Sequence, residues 1–550
     1  MTKNAKRIFV YTLSFVLVLL LFGGGYAFWQ YQSSKMPPQL NMGAKGPGTT
    51  PITNLVETNS YAPAKTFNLT AKVAKLNLGN GKTMDAWTYN GTSPGPELRV
   101  TQGDRMVVHL TNHLPAGVTI HWHGVNVPGA EDGIAGVTQN AVPPNGTYTY
   151  SFIASEPGTY WYHSHQDSSN EVGRGLYGVL VVDPKTPTVK FDRDYVVALH
   201  EWNTTGSTNE GMGSMNMSGM KNPSGRNPAA GSQSMGGMNM GTTDRNGSSM
   251  MPTKNQMSAL TDMMSMYDVF TANGTSEGLH FDAKPGDLVR LRLVNAGNMT
   301  HLLTILGVTF QVISLDGHDL TNGNPIEKQL LPIGAGQRYD IRFQMPQRSS
   351  VKLVDADPSN DENKMISATF GQGQPSNVTG NPKEYAWFDF SKYGEKQKGK
   401  FTPESNFTKT YDMNLGAGMG YFEGKNQMVY TINGKVFPNI PTLQVKKGDT
   451  VKITFTNQSN FIHPMHLHGH TFQVLSRNGN PLAGSPIYLD TVNVLPGETY
   501  DVAFEADNPG LWMIHCHDLH HAAAGMDTML TYKGISTPYS IGGKTGNQPE

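Results

Sequence analysis

Residues 433–457 read NGKVFPNIPTLQVKKGDTVKITFTN, a turn followed by a strand that ends at Asn457. The same elements, an Asn-Gly pair, a Gly-Asp pair and a strand ending at Asn, recur over residues 90–112 and 273–295. The three strands, MVVHLTN, LVRLRLVN and TVKITFTN, alternate apolar and polar residues. This period of two is typical of half-buried β-structure. The chain therefore contains three related β-units.

A second repeated element follows each copy, namely a Pro/Gly turn before another alternating strand. Its copies are PPNGTYTYSF (143–152), PIGAGQRYDIRF (332–343) and LPGETYDVAF (495–504). Successive units are about 160–180 residues apart, too far for a solenoid or a propeller blade. The sequence predicts an all-β chain of three Greek-key β-sandwich domains, near residues 60–185, 190–380 and 400–540.

The N-terminus is typical of an export or anchoring segment. Basic residues precede an apolar run over residues 8–29, and roughly 20 apolar residues suffice to span a bilayer. We expect residues 1–30 to be a transmembrane anchor, with a cleaved signal peptide as the alternative. The rest of the protein would then lie on the extracellular face of the membrane, or be secreted or periplasmic after cleavage. Residues 31–59, rich in Gln, Ser, Pro, Gly and Thr, are expected to be a linker.

Charge and cysteine content narrow the function. The net charge of -1 gives no reason to expect a nucleic-acid partner. Cys516 is the single cysteine, so no intramolecular disulfide can form. Because it stands in the triplet His515-Cys516-His517, a metal thiolate is a better interpretation than a structural thiol.

A Met-rich insertion over residues 206–258 interrupts the second domain after its first strand, YVVALHEW. Thirteen of the 28 Met fall between Met212 and Met266. The insertion lacks apolar periodicity, so we expect disorder or a mobile loop. Thioether sulfur is a soft ligand suited to Cu(I), although a flexible spacer is the alternative interpretation. The candidate Cu(I) ligands are Met215, Met217, Met220, Met235, Met238 and Met240.

Four His-x-His pairs are the strongest chemical signal. Residues i and i+2 of a strand share a face, so each pair presents two imidazoles to one side. Eight imidazoles could hold three copper ions and leave positions open for oxygen. Four come from the first domain and four from the third, which predicts a cluster between those domains. They are His121, His123, His163, His165, His466, His468, His515 and His517.

Cys516 points away from its two flanking His residues and can therefore bind a different metal ion. His463 and His521 complete a His₂Cys set, and Met526 fits a weak axial ligand. This is the type 1, or blue-copper, arrangement. Because the thiolate is joined through the backbone to two ligands of the other cluster, electrons have a short covalent route.

The repeat supplies an internal control. Nine and eleven residues after the repeat Asn, the first and third domains have His, whereas the second has Thr304 and Leu306. The fold therefore does not require the His residues. The remaining His are expected to be structural, exposed or adjacent to the ligands, namely His109, His113, His200, His280, His301, His318, His470 and His520.

Together the four His segments resemble the copper-binding motifs of multicopper oxidases, a family that includes laccases, ascorbate oxidases and bacterial copper-tolerance oxidases. The resemblance extends over about residues 60–540. It implies three cupredoxin domains, four copper ions and O₂ as electron acceptor. It assigns His463, Cys516 and His521 to type 1 copper, with Met526 axial. It gives His121 and His466 to type 2 copper, and to the type 3 pair His123, His163, His165, His468, His515 and His517.

Asp132 matches an acidic residue that helps deliver protons near type 2 copper in this family. Oxygen reduction consumes protons, so a carboxylate has a chemical role there, although an Asp-Gly turn residue is the alternative. Several bacterial relatives place an acid after the His equivalent to His521, where this chain has Ala522. Asp518 or Glu131 could replace it. We therefore expect Cys516 and Asp132 to take part in catalysis.

Three functional hypotheses remain open on the sequence alone. An axial Met favours a moderate reduction potential and an easily oxidised donor. Met-rich segments of copper-tolerance oxidases favour Cu(I) oxidation. The second hypothesis is laccase-like oxidation of phenols or aromatic amines, and also of Fe(II) or Mn(II). The third is a non-enzymatic copper-binding protein.

Overall fold

The computed structural model describes residues 11–12, 23–25, 28, 31–32, 34–58, 61–205, 249–264, 266–356, 366–373 and 381–550. The six Met proposed as Cu(I) ligands, and most of the apolar N-terminal run, lie outside the described residues. In the described part of the chain, no helix has the length and apolar character needed to cross a membrane.

The prediction of an all-β chain is confirmed. The strands of the N-terminal segment and the first domain are β1 (Gln39–Leu40), β2 (Thr50–Pro51), β3 (Ala64–Gly79), β4 (Lys82–Tyr89), β5 (Gly95–Thr101), β6 (Arg105–Asn112), β7 (His121–His123), β8 (Thr147–Ile153), β9 (Gly158–His163) and β10 (Tyr177–Asp183). Those of the second domain are β11 (Arg193–Trp202), β12 (Ser249–Met250), β13 (Val269–Ala272), β14 (Leu279–Phe281), β15 (Leu288–Asn295), β16 (His301–Leu306), β17 (Gln311–Leu315), β18 (His318–Asp319), β19 (Gln329–Ile333), β20 (Arg338–Gln344), β21 (Val351–Asp355), β22 (Ser367–Phe370) and β23 (Ala386–Phe388).

The third domain and the C-terminal segment complete the strands. These are β24 (Lys409–Phe422), β25 (Lys425–Ile432), β26 (Leu443–Val445), β27 (Thr450–Asn457), β28 (His463–Leu467), β29 (Phe472–Arg477), β30 (Asn480–Pro481), β31 (Ile487–Leu489), β32 (Thr491–Val494), β33 (Thr499–Glu505), β34 (Leu511–Cys516), β35 (Asp527–Tyr532), β36 (Ile535–Ser536) and β37 (Ile541–Gly542). The described α-helices are α1 (Ser168–Gly173), α2 (Lys254–Met264) and α3 (Leu519–Ala523).

Each domain is a sandwich of two sheets. The strand orders are β4-β3-β6-β8 and β5-β10-β9-β7 in the first domain, and β13-β11-β15-β20-β17-β18 and β12-β23-β19-β16-β21-β22-β14 in the second. In the third they are β25-β24-β27-β33-β29-β30, with β31 on β29, and β26-β35-β34-β28-β32. Strands β3, β11 and β24 pair in parallel with β6, β15 and β27, which requires the crossovers of a Greek key.

The Asn that ends each repeated strand has the same structural task in all three domains. The amide nitrogen of Asn112, Asn295 and Asn457 donates to the carbonyl oxygen four residues later, at 2.7, 2.6 and 2.7 Å. It also donates to a carbonyl of a later segment, at 2.8, 2.9 and 2.9 Å. These buried bonds satisfy loop carbonyls that water cannot reach. They fix the loop that leads into the strand where copper ligands are expected.

Residues 31–59, expected to be a linker, contact the end of the chain. Strand β1 pairs with β37 and β2 pairs with β36. The amide of Asn41 donates to the carbonyls of Thr537 and Tyr539 at 2.9 and 2.6 Å, and Ile52 is fully buried. Backbone pairing and apolar burial stabilise this contact, and composition alone reveals neither.

The described end of the Met-rich insertion also packs. Strand β12 pairs with β23, and Ala259 and Leu260 of α2 are buried in a small cluster with Trp387. Helix α2 has 11 residues, so it begins inside the predicted insertion and ends beyond it.

Candidate metal centres

Strand pairing brings the predicted His pairs together. In the first domain His121 lies opposite His163, and in the third His466 lies opposite His515. All eight imidazoles of the four His-x-His pairs are buried at the boundary between these domains, and we call them the imidazole cluster. The sequence argument therefore placed these side chains on the correct faces, since alternation along a strand is a local property.

Hydrogen bonds select which ring nitrogen faces the interior of the cluster. Nδ1 of His121, His163 and His165 donates to the carbonyls of Asp132, Ser164 and Pro549, at 2.9, 2.9 and 3.0 Å. This arrangement leaves Nε2 of each ring as an electron-pair donor. Among the described residues, the buried ring nitrogens without a hydrogen-bond partner include Nε2 of His121, His163, His165 and His466, and Nδ1 of His123. Copper ions would satisfy these nitrogens.

The eight imidazoles form three overlapping sets of three, with His123 shared by two of them. Within each set the ligand nitrogens lie within 4.8 Å of one another. Each set mixes the first and third domains, so neither domain alone can complete it. The sets are His121, His123 and His466; His123, His163 and His517; and His165, His468 and His515.

Burial favours the neutral form of three of these imidazoles. It lowers the pKa of His163, His165 and His517 well below the ordinary value, and neighbouring imidazoles lower it further. A neutral imidazole keeps the lone pair that a metal ion needs, whereas an imidazolium has none. The cluster is therefore prepared for cations at neutral pH.

A second candidate site surrounds the only cysteine. Sγ of Cys516 lies 3.5 Å from Nδ1 of His521 and 3.7 Å from Nδ1 of His463, and all three residues are buried. We call these three residues the sulfur cluster. Burial raises the pKa of the Cys516 thiol well above its ordinary value, so a bound metal ion is needed to hold the thiolate. Met526 is also buried, and its backbone carbonyl accepts a hydrogen bond from the backbone N–H of Cys516 at 3.1 Å.

Three acids named in the sequence analysis lie in different places. Oδ2 of Asp132 is 3.1 Å from Nδ1 of His468, so this acid contacts the imidazole cluster. Asp518 is 3.1 Å from Nε2 of His521 and therefore lies beside the sulfur cluster. Glu131 accepts a bond from the Ser151 amide at 3.0 Å, and burial raises its pKa to about 7.

Asp490 contacts the imidazole cluster, which the sequence did not reveal. Its Oδ1 lies 3.1 Å from Nε2 of His123 and 3.4 Å from Nδ1 of His466. Arg338 of the second domain donates to both Asp490 oxygens, at 2.8 and 2.6 Å. The guanidinium and the two imidazoles hold the pKa of Asp490 well below its ordinary value, despite burial that acts the other way. The second domain thus helps to orient two imidazoles of the cluster through Arg338 and Asp490, without supplying a His to the cluster.

Glu550 is a second acid beside the imidazole cluster that the sequence did not reveal. Its Oε1 lies 3.3 Å from Nδ1 of His515 and 3.7 Å from Nε2 of His165. It also lines a cavity of about 410 Å³ together with Ala522 and Asp527. Glu550 therefore places a carboxylate in the same cavity as Ala522, a position that has no acid of its own. No local sequence pattern predicts this position of Glu550, because the C-terminal segment lies outside the repeats.

Family models described as multicopper oxidase match residues 70–187, 194–373 and 405–533. The multicopper oxidase MmcO of Mycobacterium tuberculosis is 31% identical over 478 residues, which cover 85% of this chain and 87% of that protein. The chain belongs to the multicopper oxidases. Laccase-2 of Botryotinia fuckeliana is 30% identical over 81% of this multicopper oxidase and 78% of the laccase. A copper resistance protein A homologue of Pseudomonas syringae pv. tomato is 24% identical, over 84% of this chain and 91% of that protein.

Membership of the family answers one question that the sequence left open. As a multicopper oxidase the chain is an oxidoreductase that uses type 1, 2 and 3 copper, O₂ and a reducing substrate. The alternative of a non-enzymatic copper-binding protein is thereby disfavoured. The three domains are cupredoxin domains, as the resemblance implied.

Proposed function

We propose that this multicopper oxidase oxidises Cu(I) outside the cytoplasm and so contributes to copper tolerance. Four copper ions would supply the redox chemistry, taking single electrons from the donor and passing four to O₂. The observation that carries the proposal is the position of Cys516. Its thiol belongs to the sulfur cluster, while its neighbours His515 and His517 belong to the imidazole cluster.

The sets of imidazoles support one distribution of ions. His463, Cys516 and His521 would hold the type 1 ion, with Met526 as axial ligand. His121 and His466 would hold the type 2 ion. The two type 3 ions would be held by His123, His163 and His517 and by His165, His468 and His515.

Asp132 has two tasks in this proposal. Its Oδ2 accepts the hydrogen bond from Nδ1 of His468, which leaves Nε2 of that ring as the ligand. Its backbone carbonyl orients His121 in the same way, at 2.9 Å. The carboxylate can also hold a proton beside the site where O₂ is reduced, a reaction that consumes four protons.

The choice of Cu(I) rests on the Met-rich insertion and its attachment point. Thr204, just before the insertion, donates its backbone N–H to Asp268 at 2.6 Å. The hydroxyl of the adjacent Tyr267 lies 3.5 Å from Nδ1 of His520, the neighbour of His521. The insertion therefore begins close to the helix that carries the proposed type 1 ligand His521. Thioethers at this place would collect Cu(I) near the site that accepts its electron. The copper resistance protein among the relatives adds support.

Oxidation of phenols or aromatic amines is the second candidate. Nε2 of His463, the nitrogen pointing away from Cys516, lies 2.8 Å from Oγ of half-buried Ser459. The adjacent Asn460 is exposed, so an organic donor could approach this edge of the ring. The laccase among the relatives favours the same chemistry.

The location of the enzyme is part of the proposal. Basic residues followed by an apolar run over residues 8–29 favour export, with the catalytic domains outside the cytoplasm. Membrane anchoring is the preferred form, and cleavage of the segment is the alternative. Fractionation of cells followed by N-terminal sequencing distinguishes the two.

Oxygen uptake by the copper-loaded enzyme tests the choice of donor. We would compare Cu(I), Fe(II) and a phenol in the wild type and in a variant that carries Leu at the six insertion Met positions. Leu keeps the size of Met and removes the thioether. We expect kcat/KM for Cu(I) to fall about tenfold and that for the phenol to stay the same.

The matched control is Met419→Leu, which changes an exposed Met of the third domain, 63% accessible, outside the insertion. It should leave all three donors unaffected. Unchanged Cu(I) kinetics in the six-Leu variant would overturn Cu(I) capture by the insertion and favour the laccase-like alternative. Loss of activity with every donor in Cys516→Ser is expected under either substrate.

A further inference from the structure

The second domain contains a counterpart of the type 1 site. His301 follows Asn295 by six residues, as His463 follows Asn457. Strand pairing extends the correspondence, because Asp355 lies opposite Leu303 as Cys516 lies opposite Met465. Leu303 and Met465 are each eight residues after the repeat Asn. His301 and Asp355 therefore occupy the positions of the type 1 ligands His463 and Cys516.

In the second domain these positions hold an ion triad. Nδ1 of His301 lies 2.5 Å from Oδ2 of Asp355, and Nε2 lies 2.6 Å from Oε1 of Glu201. All three side chains are almost completely buried. Burial would lower the pKa of His301, but the two carboxylates outweigh it and raise the pKa to about 10. Both ring nitrogens are thus protonated and bonded, so a cationic imidazole stands where the third domain binds metal.

Glu201 has no acidic equivalent in the third domain. It lies two residues after Leu199, which pairs with Asn295, and the corresponding residue after Leu415 is Ala417. The second carboxylate is therefore an addition specific to the second domain. Gly297 makes room for it, because a Cβ there would lie 2.0 Å from a Glu201 oxygen.

The triad is connected to the type 1 site through one residue, Asn298. Oε2 of Glu201 accepts a hydrogen bond from the backbone N–H of Asn298 at 2.9 Å. Oδ1 of Asn298 accepts a bond from the Leu519 amide at 3.2 Å, across the boundary between the second and third domains. Leu519 is the first residue of α3, whose N-terminal amides lack partners within the helix. That helix carries His521.

We propose that Glu201, His301 and Asp355 are positioning residues for the type 1 copper site, acting through Asn298 on α3. A buried network in which every member is bonded is rigid, so it holds Asn298 in one place. Asn298 then fixes the start of the helix and hence the direction of the His521 ring. Partners beyond the ligands commonly set the affinity and electronic properties of a bound metal. This inference rests on the proposed assignment of His521 to type 1 copper.

Bleaching of the thiolate-to-copper absorption by a chelator tests the link in the fully loaded enzyme. We expect Asn298→Ala to weaken retention of type 1 copper about tenfold and to alter its hyperfine splitting in electron paramagnetic resonance spectra. Thr300→Ala is the matched control. It removes a bond across the same domain boundary, to Asn493 at 3.2 Å, that does not reach α3. Retention in the control should equal that of the wild type.

The triad itself is tested with His301→Gln and Glu201→Gln, either of which suffices if the other fails to fold. We expect each to shift the same spectroscopic signals as Asn298→Ala, and the double variant with Asn298→Ala to shift them no further. Unchanged type 1 spectra in Asn298→Ala, or in a triad variant that loses only thermal stability, would overturn the proposal. A wild type without the blue absorption would instead overturn the proposed function.

Discussion

Oδ2 of Asp132 in the first domain accepts a hydrogen bond from Nδ1 of His468 in the third, at 3.1 Å. The bond crosses the boundary between the domains, and both side chains are buried. It ties the tautomer of a proposed copper ligand in one domain to a carboxylate in another. Docking of the first and third domains therefore has two effects. It brings the imidazoles together, and it fixes which nitrogen of His468 carries the proton.

Replacement of Asp132 by Asn is expected to slow oxygen reduction. The amide keeps the shape of the carboxylate but cannot hold a proton at Oδ2, so reoxidation of the reduced enzyme should slow by about 10- to 100-fold. Stopped-flow mixing of reduced enzyme with O₂ measures this rate. The blue absorption should persist, since Asp132 does not contact the sulfur cluster. Equal reoxidation rates in variant and wild type would show that Asp132 is only a turn residue.

Glu550 is expected to influence the same reaction from the other side of the imidazole cluster. Its carboxylate lies 3.3 Å from Nδ1 of His515, so Glu550→Gln should lower reoxidation about tenfold and change the near-ultraviolet absorption of the type 3 pair. Glu423→Gln provides the control, because Glu423 lines the same cavity but is exposed. If both variants behave alike, the effect comes from the charge of the cavity and not from contact with His515.

The stability of the protein should depend on pH through His301. Its pKa in the folded protein is about 10, above the ordinary value of 6.5. Between these values the folded state holds a proton that the unfolded state has released, so the stabilisation falls as pH rises. The contribution should be complete below pH 6.5 and disappear as pH passes about 10, with a slope of up to about 1.4 kcal/mol per pH unit.

The measurement is denaturant unfolding of the wild type and of His301→Gln across this pH range. The stability difference between the two proteins should shrink as pH rises. His280→Gln, which removes an exposed imidazole of the same domain, is the matched control for the substitution itself. A difference for His301→Gln that stays constant with pH would mean that the folded imidazole is neutral.

The His pairs and Cys516 were readable from the sequence because alternation along a strand is set locally. The offset from the repeat Asn also carries a signal that was overlooked, since His301 and His463 share it. By contrast, Asp490 and Glu550 lie outside the His motifs, and their sequence neighbours have no pattern that indicates a metal site. Their role depends on which segments meet, and distant segments meet only when domains pack.

The sequence by itself determined the three β-sandwich units, the faces on which the imidazoles lie and the separation of Cys516 from its neighbours. Each of these follows from periodicity within a few residues. The tertiary structure alone decided which imidazoles form a set, which acids orient them and that a charged triad fills the second-domain site. These features depend on strand register and domain docking, which bring together residues far apart in the sequence. Burial and hydrogen bonds hold such residues in place, and no short sequence pattern encodes those contacts.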